Sequence, residues 1–252
     1  DLSNILKIPP YSLRKKEKEK LLNPFLNDLS KFHYDNCPSY TKMMDVVNFN
    51  INKKENYSKL PFLPVRLFKM FDLKSVEKED IIKTMTSSGT SGQAVSKIYL
   101  DRDTSSNQTK VLTKIVSSFI GNKRTPMIIM DSESVVKDRK LFSARGAGIL
   151  GFSMFGSKRM YALNEKMELK INAINDFLEK NKGERIFIFG FTFIIYQHFY
   201  KVLDRLNIKL DLSNSVMIHG GGWKKLINES VSSKKFKENL NLVSGIKSVH
   251  DY

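Results

Sequence analysis

The sequence predicts an α/β protein with a largely parallel sheet flanked by helices, preceded by a helical N-terminal segment. Short, continuous apolar runs at residues 126–130, 186–189 and 216–218 are typical of parallel strands that are buried on both faces. From residue 81 onward such runs alternate with helical patterns, which indicates right-handed β–α–β crossovers. Ligands of these sheets bind beyond the carboxyl ends of the strands, so the residues after each strand are the first candidates for a site.

The N-terminal part of the chain is mostly helical by its pattern. Residues 12–35 place Leu and Phe at helical spacing among Lys and Glu, which predicts a long helix with Pro24 as a candidate break or kink. A second helix is expected at residues 39–48. Residues 60–69 (LPFLPVRLFK) carry two prolines among large apolar side chains. We therefore expect an extended segment there that packs on the body of the protein.

Alternating strands and helices are expected in the remainder of the chain. Strands are predicted at 81–86, 96–101, 125–131, 185–190, 215–219 and 247–252, and helices at 103–119, 168–181, 191–206 and 223–239. Residues 143–163 are rich in glycine and are predicted to form a long loop. We expect residues 1–78 to be a helical and extended segment packed on an α/β nucleotide-binding portion, residues 79–252, in one continuous domain.

Composition narrows the function classes. The chain has 252 residues, 41% of them hydrophobic, and no apolar run approaches the ~20 residues that cross a bilayer. One cysteine, Cys37, excludes an internal disulfide framework and fits a reducing cytoplasm. The net charge of +16 suits nucleic acid or a polyanion such as ATP. Because the basic residues are spread along the chain, we expect no nucleic-acid partner, and because no apolar run is long enough, we expect no membrane span.

Residues 84–93 (TMTSSGTSGQ) concentrate hydroxyl side chains and two glycines between two predicted strands. Glycine allows close backbone approach, successive N–H groups form anion-binding concavities, and hydroxyl groups add donors for phosphate oxygens. A flexible hairpin has the same composition, so this stretch alone leaves both readings open. It matches neither the Gly-x4-Gly-Lys P-loop nor the Gly-x-Gly-x-x-Gly fingerprint.

Three predicted strands run into distinctive residues. They end in Gly190-Phe-Thr-Phe193, in His219-Gly-Gly-Gly-Trp-Lys-Lys225 and in His250-Asp-Tyr252. The three glycines could let a flat ring lie on the backbone, or they could form a tight turn with Trp223 in the core. If all strands are parallel, these ends and the hydroxyl-rich loop meet at one edge of the sheet.

Other catalytic classes fit less well. A Ser–His–Asp hydrolase needs a Gly-x-Ser-x-Gly elbow, whereas Ser91 sits in Gly89-Thr-Ser-Gly92, one residue short of that spacing. Cys37 precedes a proline and has no basic activator nearby in the sequence, so an inert thiol is expected. His219, at a strand end, is expected to be a hydrogen-bonded structural histidine.

These motifs together resemble a known family. Residues 86–92 (TSSGTSG) are similar to the phosphate loop of the adenylate-forming enzymes, a superfamily that includes acyl- and aryl-CoA ligases. Within it, the chain resembles the acyl-protein synthetases of the bacterial bioluminescence fatty-acid reductase complex. That resemblance is carried by residues 60–69, 96–102, 189–192 and 219–225, and it runs through nearly the whole chain.

The resemblance implies a two-step reaction. A carboxylic acid, in this family a long-chain fatty acid, attacks ATP with Mg²⁺ to give an acyl-adenylate, and the acyl group then passes to a protein thiol, with an acyl-accepting reductase as partner. By resemblance the ATP phosphates are held by Thr86, Ser87, Ser88, Gly89, Thr90, Ser91, Gly92 and Lys97. The resemblance further implies that the adenine lies against His219, Gly220, Gly221, Gly222, Trp223, Asp251 and Tyr252. It also implies that the acyl pocket is lined by Gly190, Phe191 and Thr192.

The chain departs from the family pattern at two points. The first basic residue after the loop is Lys97, because Gln93-Ala-Val-Ser96 stands where the superfamily has Pro-Lys-Gly. The Tyr-Gly-x-x-Glu turn that would follow the last strand is not in the sequence. We therefore expect the metal carboxylate, the catalytic residues and the acyl-carrying thiol to lie beyond Tyr252, and this chain alone to be inactive, as a truncated or degenerate member. The alternatives are a non-catalytic scaffolding domain of the same fold and an acyl- or aryl-CoA ligase.

Overall fold

The structure is a computed structural model that describes residues 2–86, 95–137 and 144–252. Its residues group into two compact units, Asp1–Ser118 and Phe119–Tyr252, which are described separately. None of the described helices is long and apolar enough to cross a membrane. The expectation that residues 1–78 and 79–252 are two portions of one domain stays a prediction.

The N-terminal unit is built mainly from helices, as predicted for residues 12–35, 39–48 and 103–119. The helices are α1 (Leu2–Lys7), α2 (Lys15–Asn36), α3 (Pro38–Val46), α4 (Leu67–Met70) and α5 (Arg102–Ile120). Helix α2 continues through Pro24. At the junction of α2 and α3, Cys37 is buried, and the Thr41 hydroxyl donates to the Tyr34 carbonyl oxygen at 2.6 Å.

The prediction that residues 60–69 are extended throughout is wrong at the end of the segment. Leu67–Met70 is a helical turn rather than extended chain. The two prolines hold the segment before it out of the helical conformation, but beyond Pro64 the backbone donors are free, and Leu67 N donates to the Pro64 carbonyl at 2.9 Å. Phe62 is 86% exposed and Val65 is 71% exposed, whereas Leu60, Leu63, Leu67 and Phe68 are half-buried, and the packing of the segment on the body stays a prediction.

Two strands of this unit form a separate small sheet. Strands β1 (Lys83–Thr86) and β2 (Lys97–Leu100) pair antiparallel with each other, and the five-stranded sheet of the other unit does not include them. The condition that all predicted strands are parallel therefore does not hold for these two. Most of their side chains are exposed, which is the pattern of a surface hairpin and not of a strand buried on both faces.

The C-terminal unit contains the predicted parallel sheet, which confirms the fold class. Its strands lie in the order β4-β3-β5-β6-β7, and every neighbouring pair is parallel. The strands are β3 (Thr125–Ser132), β4 (Gly156–Leu163), β5 (Ile186–Phe191), β6 (Ser215–Gly220) and β7 (Ser248–Asp251). The sequence predicts four of the five, with bounds within one residue of those observed.

Helices flank this sheet. They are α6 (Ser134–Lys137), α7 (Ala144–Ser153), α8 (Ile171–Lys180), α9 (Thr192–Ile194), α10 (Lys201–Leu206) and α11 (Ser233–Ser244). A π-helical turn, Ile195–Tyr200, joins α9 to α10, and a 3₁₀ turn, Lys224–Glu229, precedes α11. The helix predicted at 223–239 is therefore interrupted, because Ser232 starts a new helix, with its hydroxyl oxygen accepting from Lys235 N at 3.2 Å.

The glycine-rich segment 143–163 was predicted as a loop, and this is wrong for the part that the structure describes. It contains α7 and β4. Strand β4 lies at the edge of the sheet, where polar side chains are exposed and break the apolar run that marks a buried strand. Gly148 of α7 serves packing: a Cβ there would lie 3.1 Å from Phe191 Cζ, so the glycine lets the helix approach that ring closely.

The two faces of the sheet carry different side chains. One face contributes to the main core with Ile128, Met130, Ile188, Met217 and Val249, packed against α8, α10, α11 and the π-helical turn. On the other face β5 contributes Phe187 and Phe189, and Phe152 of α7 stacks on Phe189 with ring centroids 3.9 Å apart. Burial of each such side chain contributes roughly 1.5–3 kcal/mol to the free energy of unfolding. The sheet therefore holds the residues at the ends of its strands in fixed positions.

Candidate functional site

Three strands end side by side at the carboxyl edge of the parallel sheet. Phe191 of β5 pairs with Gly220 of β6, and His219 of β6 pairs with Asp251 of β7. Tyr252, just after β7, donates its N–H to the His219 carbonyl at 2.8 Å. The three strand ends that the sequence singled out are thus brought together, at the position where parallel sheets bind ligands.

A turn without side chains follows β6. Gly221 and Gly222 have φ of 79° and 63°, in the left-handed region that favours glycine. A Cβ on Gly220 would lie 2.9 Å from the Tyr252 carbonyl oxygen, and one on Gly221 would lie 2.6 Å from Phe191 Cδ1. A Cβ on Gly222 would meet nothing within 4 Å. The first two glycines are therefore required by close packing, whereas the third leaves open space above the backbone.

His219 and Thr192 lock the ends of β5 and β6 together. The Thr192 hydroxyl lies 2.9 Å from His219 Nδ1 and 3.1 Å from the Gly220 carbonyl oxygen. Since the hydroxyl donates to that carbonyl, Nδ1 carries the imidazole proton and donates to Thr192. The other ring nitrogen, Nε2, is buried and has no hydrogen-bond partner among the described residues.

The environment of His219 favours the neutral ring. Burial lowers its pKa below 6.5, and the Asp251 carboxylate, 3.7 Å from Nδ1, opposes that shift in part. Burial is the larger effect because Asp251 itself is largely exposed to solvent. The expected role of a hydrogen-bonded structural histidine agrees with this geometry, while its predicted role in adenine binding stays a prediction.

Aromatic side chains surround the glycine turn. Phe191 lies in T-shaped contact with Phe189, with centroids 5.8 Å apart, and Tyr252 makes a T-shaped contact with Phe152 at 5.2 Å. Trp223 is half-buried, with its ring 4.9 Å from that of Tyr196 and 6.0 Å from that of Phe236. Trp223 thus anchors the turn to the core, and its predicted contact with adenine stays a prediction.

Sequence reasoning missed a buried ion pair at the same edge of the sheet. Asp131, near the end of β3, is fully buried, and Arg145 of α7 donates to both of its carboxylate oxygens, with Nε at 2.7 Å. Ser132 N also donates to Asp131 at 2.7 Å. Asp131 directly follows an apolar run, and this could have indicated a polar site at the end of the strand. Its partner was not predictable in the same way, because Arg145 lies in the segment predicted as a loop.

The predicted phosphate loop lies largely outside the described residues. Ser87, Ser88, Gly89, Thr90, Ser91 and Gly92 are not described, so their assignment to ATP stays a prediction. Thr86 and Lys97 face each other across β1 and β2. The Lys97 ammonium lies 3.3 Å from Asp72 Oδ1, which also accepts from the Tyr99 hydroxyl at 2.6 Å and raises the pKa of Tyr99 to about 12.

The part of the chain that the structure describes contains no cluster of side chains suited to bind magnesium. Within residues 2–86, 95–137 and 144–252, no group of three or more His, Cys, Asp or Glu side chains is placed to hold a metal ion. These residues therefore do not by themselves fit the Mg²⁺ that the resemblance implies. The adenine fits better, because a flat ring can lie on the open backbone at Gly222.

A comparison with protein families gives a match over nearly the full length. The family described as "Acyl-protein synthetase, LuxE" matches residues 2–252. The chain belongs to this acyl-protein synthetase family. The resemblance to this family seen in the sequence is therefore confirmed. No sequence among the curated proteins matches the chain.

Solved structures of a ligase share the fold of this acyl-protein synthetase family member. An open conformation of 2-hydroxyisobutyryl-CoA ligase in complex with 2-HIB-AMP and CoA is 13% identical with a TM-score of 0.65, and the match covers 97% of this chain and 53% of the ligase. The same ligase in its thioesterification state gives a TM-score of 0.66 at 13% identity, over 95% and 49%. The chain thus spans about half the length of that ligase.

Proposed function

We propose that this chain is the ATP-binding part of an enzyme that activates a carboxylic acid as its acyl-adenylate. Family membership and the fold support an activity of this class. As the finer proposal, the acid is a long-chain fatty acid and the acyl group passes to a protein thiol. The groups that complete catalysis, including the carboxylate that holds Mg²⁺, are proposed to lie outside these 252 residues.

The observation that carries the proposal is the glycine turn at the ends of β5, β6 and β7. Gly222 opens onto free space while Phe191 and Tyr252 pack against its two predecessors. A purine ring can lie on such a flat surface without side chains, and backbone N–H and C=O groups beside it can form hydrogen bonds with the ring edge. Bound ATP supplies the phosphoanhydride that the carboxylate attacks, and the aromatic residues beside the turn exclude water from that reaction.

The acyl acceptor is proposed to be a thiol that this chain does not provide. Its only cysteine, Cys37, is 3% exposed and lies between two helices of the N-terminal unit. A thiolate must reach solvent and substrate to act as a nucleophile. The competing acceptor is CoA, which is bound in the structure of the similar ligase. Mass spectrometry of the acylated products distinguishes a protein thioester from acyl-CoA.

The adenine site can be tested with one substitution that adds a side chain without a clash. In Gly222→Asn, the new side chain would enter the open space, and asparagine tolerates a positive φ better than other residues. We expect calorimetry to detect weak ATP binding by the wild-type chain and a loss of roughly tenfold or more in the variant. The matched control is Gly183→Asn, since Gly183 also has a positive φ, of 83°, and open space around it.

The activity itself is tested in a protein that carries this chain together with the rest of the ligase fold. Pyrophosphate exchange into ATP should occur only when a carboxylic acid is added. The 252-residue chain alone should show little turnover. An absence of acid-dependent exchange across a broad panel of acids would refute the proposed activity, and rapid adenylate formation by the chain alone would refute the proposed division of catalytic groups.

A further inference from the structure

Lys224 places a positive charge over two aromatic rings at the end of β5. Its Nζ lies 5.6 Å from the ring centroid of Phe191 and 5.2 Å from that of Phe193. We propose that Lys224 binds the carboxylate of the acid substrate while the acyl chain lies along these rings. The inference rests on the proposed function and identifies the residue that selects an acid over a neutral lipid.

The backbone of Lys224 holds the side chain in this position. Its φ is 46°, in the left-handed region that disfavours a residue with a Cβ, and Gly221 and Gly222, which Trp223 separates from it, also have positive φ. The Trp223 carbonyl accepts from Leu226 N at 2.8 Å, and the indole packs on the core, so the turn is fixed on both sides of the lysine. Sterically disfavoured residues of this kind occur preferentially at ligand sites.

The charge on Lys224 has no partner within the part of the chain that the structure describes. Some lysines there form ion pairs with carboxylates, such as Lys201 with Glu229 and Lys97 with Asp72, and no acidic group among the described residues pairs with Lys224. An ammonium over aromatic faces is attracted by the rings, but it keeps its three N–H donors for an oxygen ligand. A carboxylate fits this combination of cation and apolar surface.

The chemistry of acid activation gives such a cation a purpose. The carboxylate and the triphosphate are both anions, so they repel each other as they approach. In the step itself a carboxylate oxygen forms a bond to the α-phosphorus, the bond from that phosphorus to the bridging oxygen breaks, and pyrophosphate leaves with the electron pair. A lysine that holds the second carboxylate oxygen orients the acid and reduces the repulsion without taking part in bond breaking.

The test compares an acid with a neutral molecule of the same size. The sole tryptophan, Trp223, is adjacent to the site, so its fluorescence reports binding of octanoate or octanamide to the full 252-residue chain. We expect Lys224→Met to weaken octanoate binding about tenfold, in line with the loss of a charged hydrogen bond, and to leave octanamide and ATP binding unchanged. Lys224→Arg should restore most of the octanoate affinity.

The control is Lys209→Met, which removes the same charge from an exposed lysine of the same unit. A parallel loss of octanoate and octanamide binding, or a lower melting temperature in Lys224→Met, would assign the lysine a structural role and overturn the inference. Unchanged octanoate binding, or no octanoate binding by the wild type, would also overturn it. The proposed function would survive each of these results if the Gly222→Asn and pyrophosphate-exchange experiments succeed.

Discussion

Replacing Gly221 by alanine tests whether the glycine turn is built around the Phe191 ring. The backbone at this position is in the left-handed region, with φ of 79°, and the new Cβ would lie 2.6 Å from Phe191 Cδ1. The backbone conformation costs about 1–2 kcal/mol for a residue with a Cβ. The ring cannot retreat freely, because Gly148 packs against its far end, so overpacking adds about 1–3 kcal/mol. We expect a total loss of about 2–5 kcal/mol in the free energy of unfolding.

A matched substitution separates the two contributions. Gly222→Ala has the same sign of φ, 63°, but no heavy atom within 4 Å of the new Cβ, so it should show the backbone cost alone. In a Phe191→Ala background the clash disappears, and Gly221→Ala should then cost only about as much as Gly222→Ala. The coupling energy between positions 221 and 191 is thus expected to be about 1–3 kcal/mol.

Urea denaturation followed by Trp223 fluorescence measures these values for the C-terminal unit, since the chain has no other tryptophan. Additive effects, with a coupling below about 0.5 kcal/mol, would mean that the ring moves aside freely and that the packing argument is wrong. Equal losses in Gly221→Ala and Gly222→Ala would lead to the same conclusion.

Three further outcomes are expected. Because burial lowers the pKa of His219, the unfolded state binds the imidazole proton more readily than the folded state. The contribution of the neutral ring to the free energy of unfolding is therefore fully present above pH 6.5, and it is lost as the pH falls through the lowered pKa of the folded state. Burial also lowers the pKa values of His198 and His250, so the wild type and the variant both lose stability on acidification. The expected result is that the melting temperature of His219→Gln falls less on acidification than that of the wild type. Thr192→Val removes the partner of the buried His219 Nδ1 and should cost about 1–3 kcal/mol by urea denaturation, whereas Thr192→Ser should cost less. Arg145→Met leaves the Asp131 carboxylate buried without its cation and should lower the free energy of unfolding by up to about 3–5 kcal/mol. Asp131→Asn should cost less, because the remaining Arg145 can still reach solvent, and an equal cost would contradict this view of the pair.

The parallel sheet was predictable because its strands are continuous apolar runs. The runs around Ile128, Ile188 and Met217 are buried on both faces, so their side chains are continuously apolar, which is the pattern of a buried parallel strand. Strand β4 lacks this signal since it lies at the edge and exposes Lys158 and Arg159. Strands β1 and β2 were predicted as strands, but the sheet to which they belong was not, because the residue pattern of a short strand does not encode its partner.

The candidate site was predictable to the extent that topology determines it. Residues such as Phe191, Gly220 and Asp251 end neighbouring strands, and parallel pairing alone places them together. The orientation of individual side chains was not predictable. The ion pair of Asp131 with Arg145 and the position of Lys224 over two rings depend on contacts between elements distant in sequence, which spacing does not encode.

The π-helical turn at Ile195–Tyr200 affects how this segment tolerates changes in chain length. A π turn accommodates one more residue than an α turn while the helix continues in register on either side. Deleting its exposed Gln197 is therefore expected to convert the turn into α-helix and to leave Leu203 facing the core. In a regular helix such as α11, deleting one residue rotates everything beyond it by about 100°, which would turn buried positions to solvent. The turn beside the glycine-rich site is thus a point at which the length of the chain can change by one residue without disturbing the sheet.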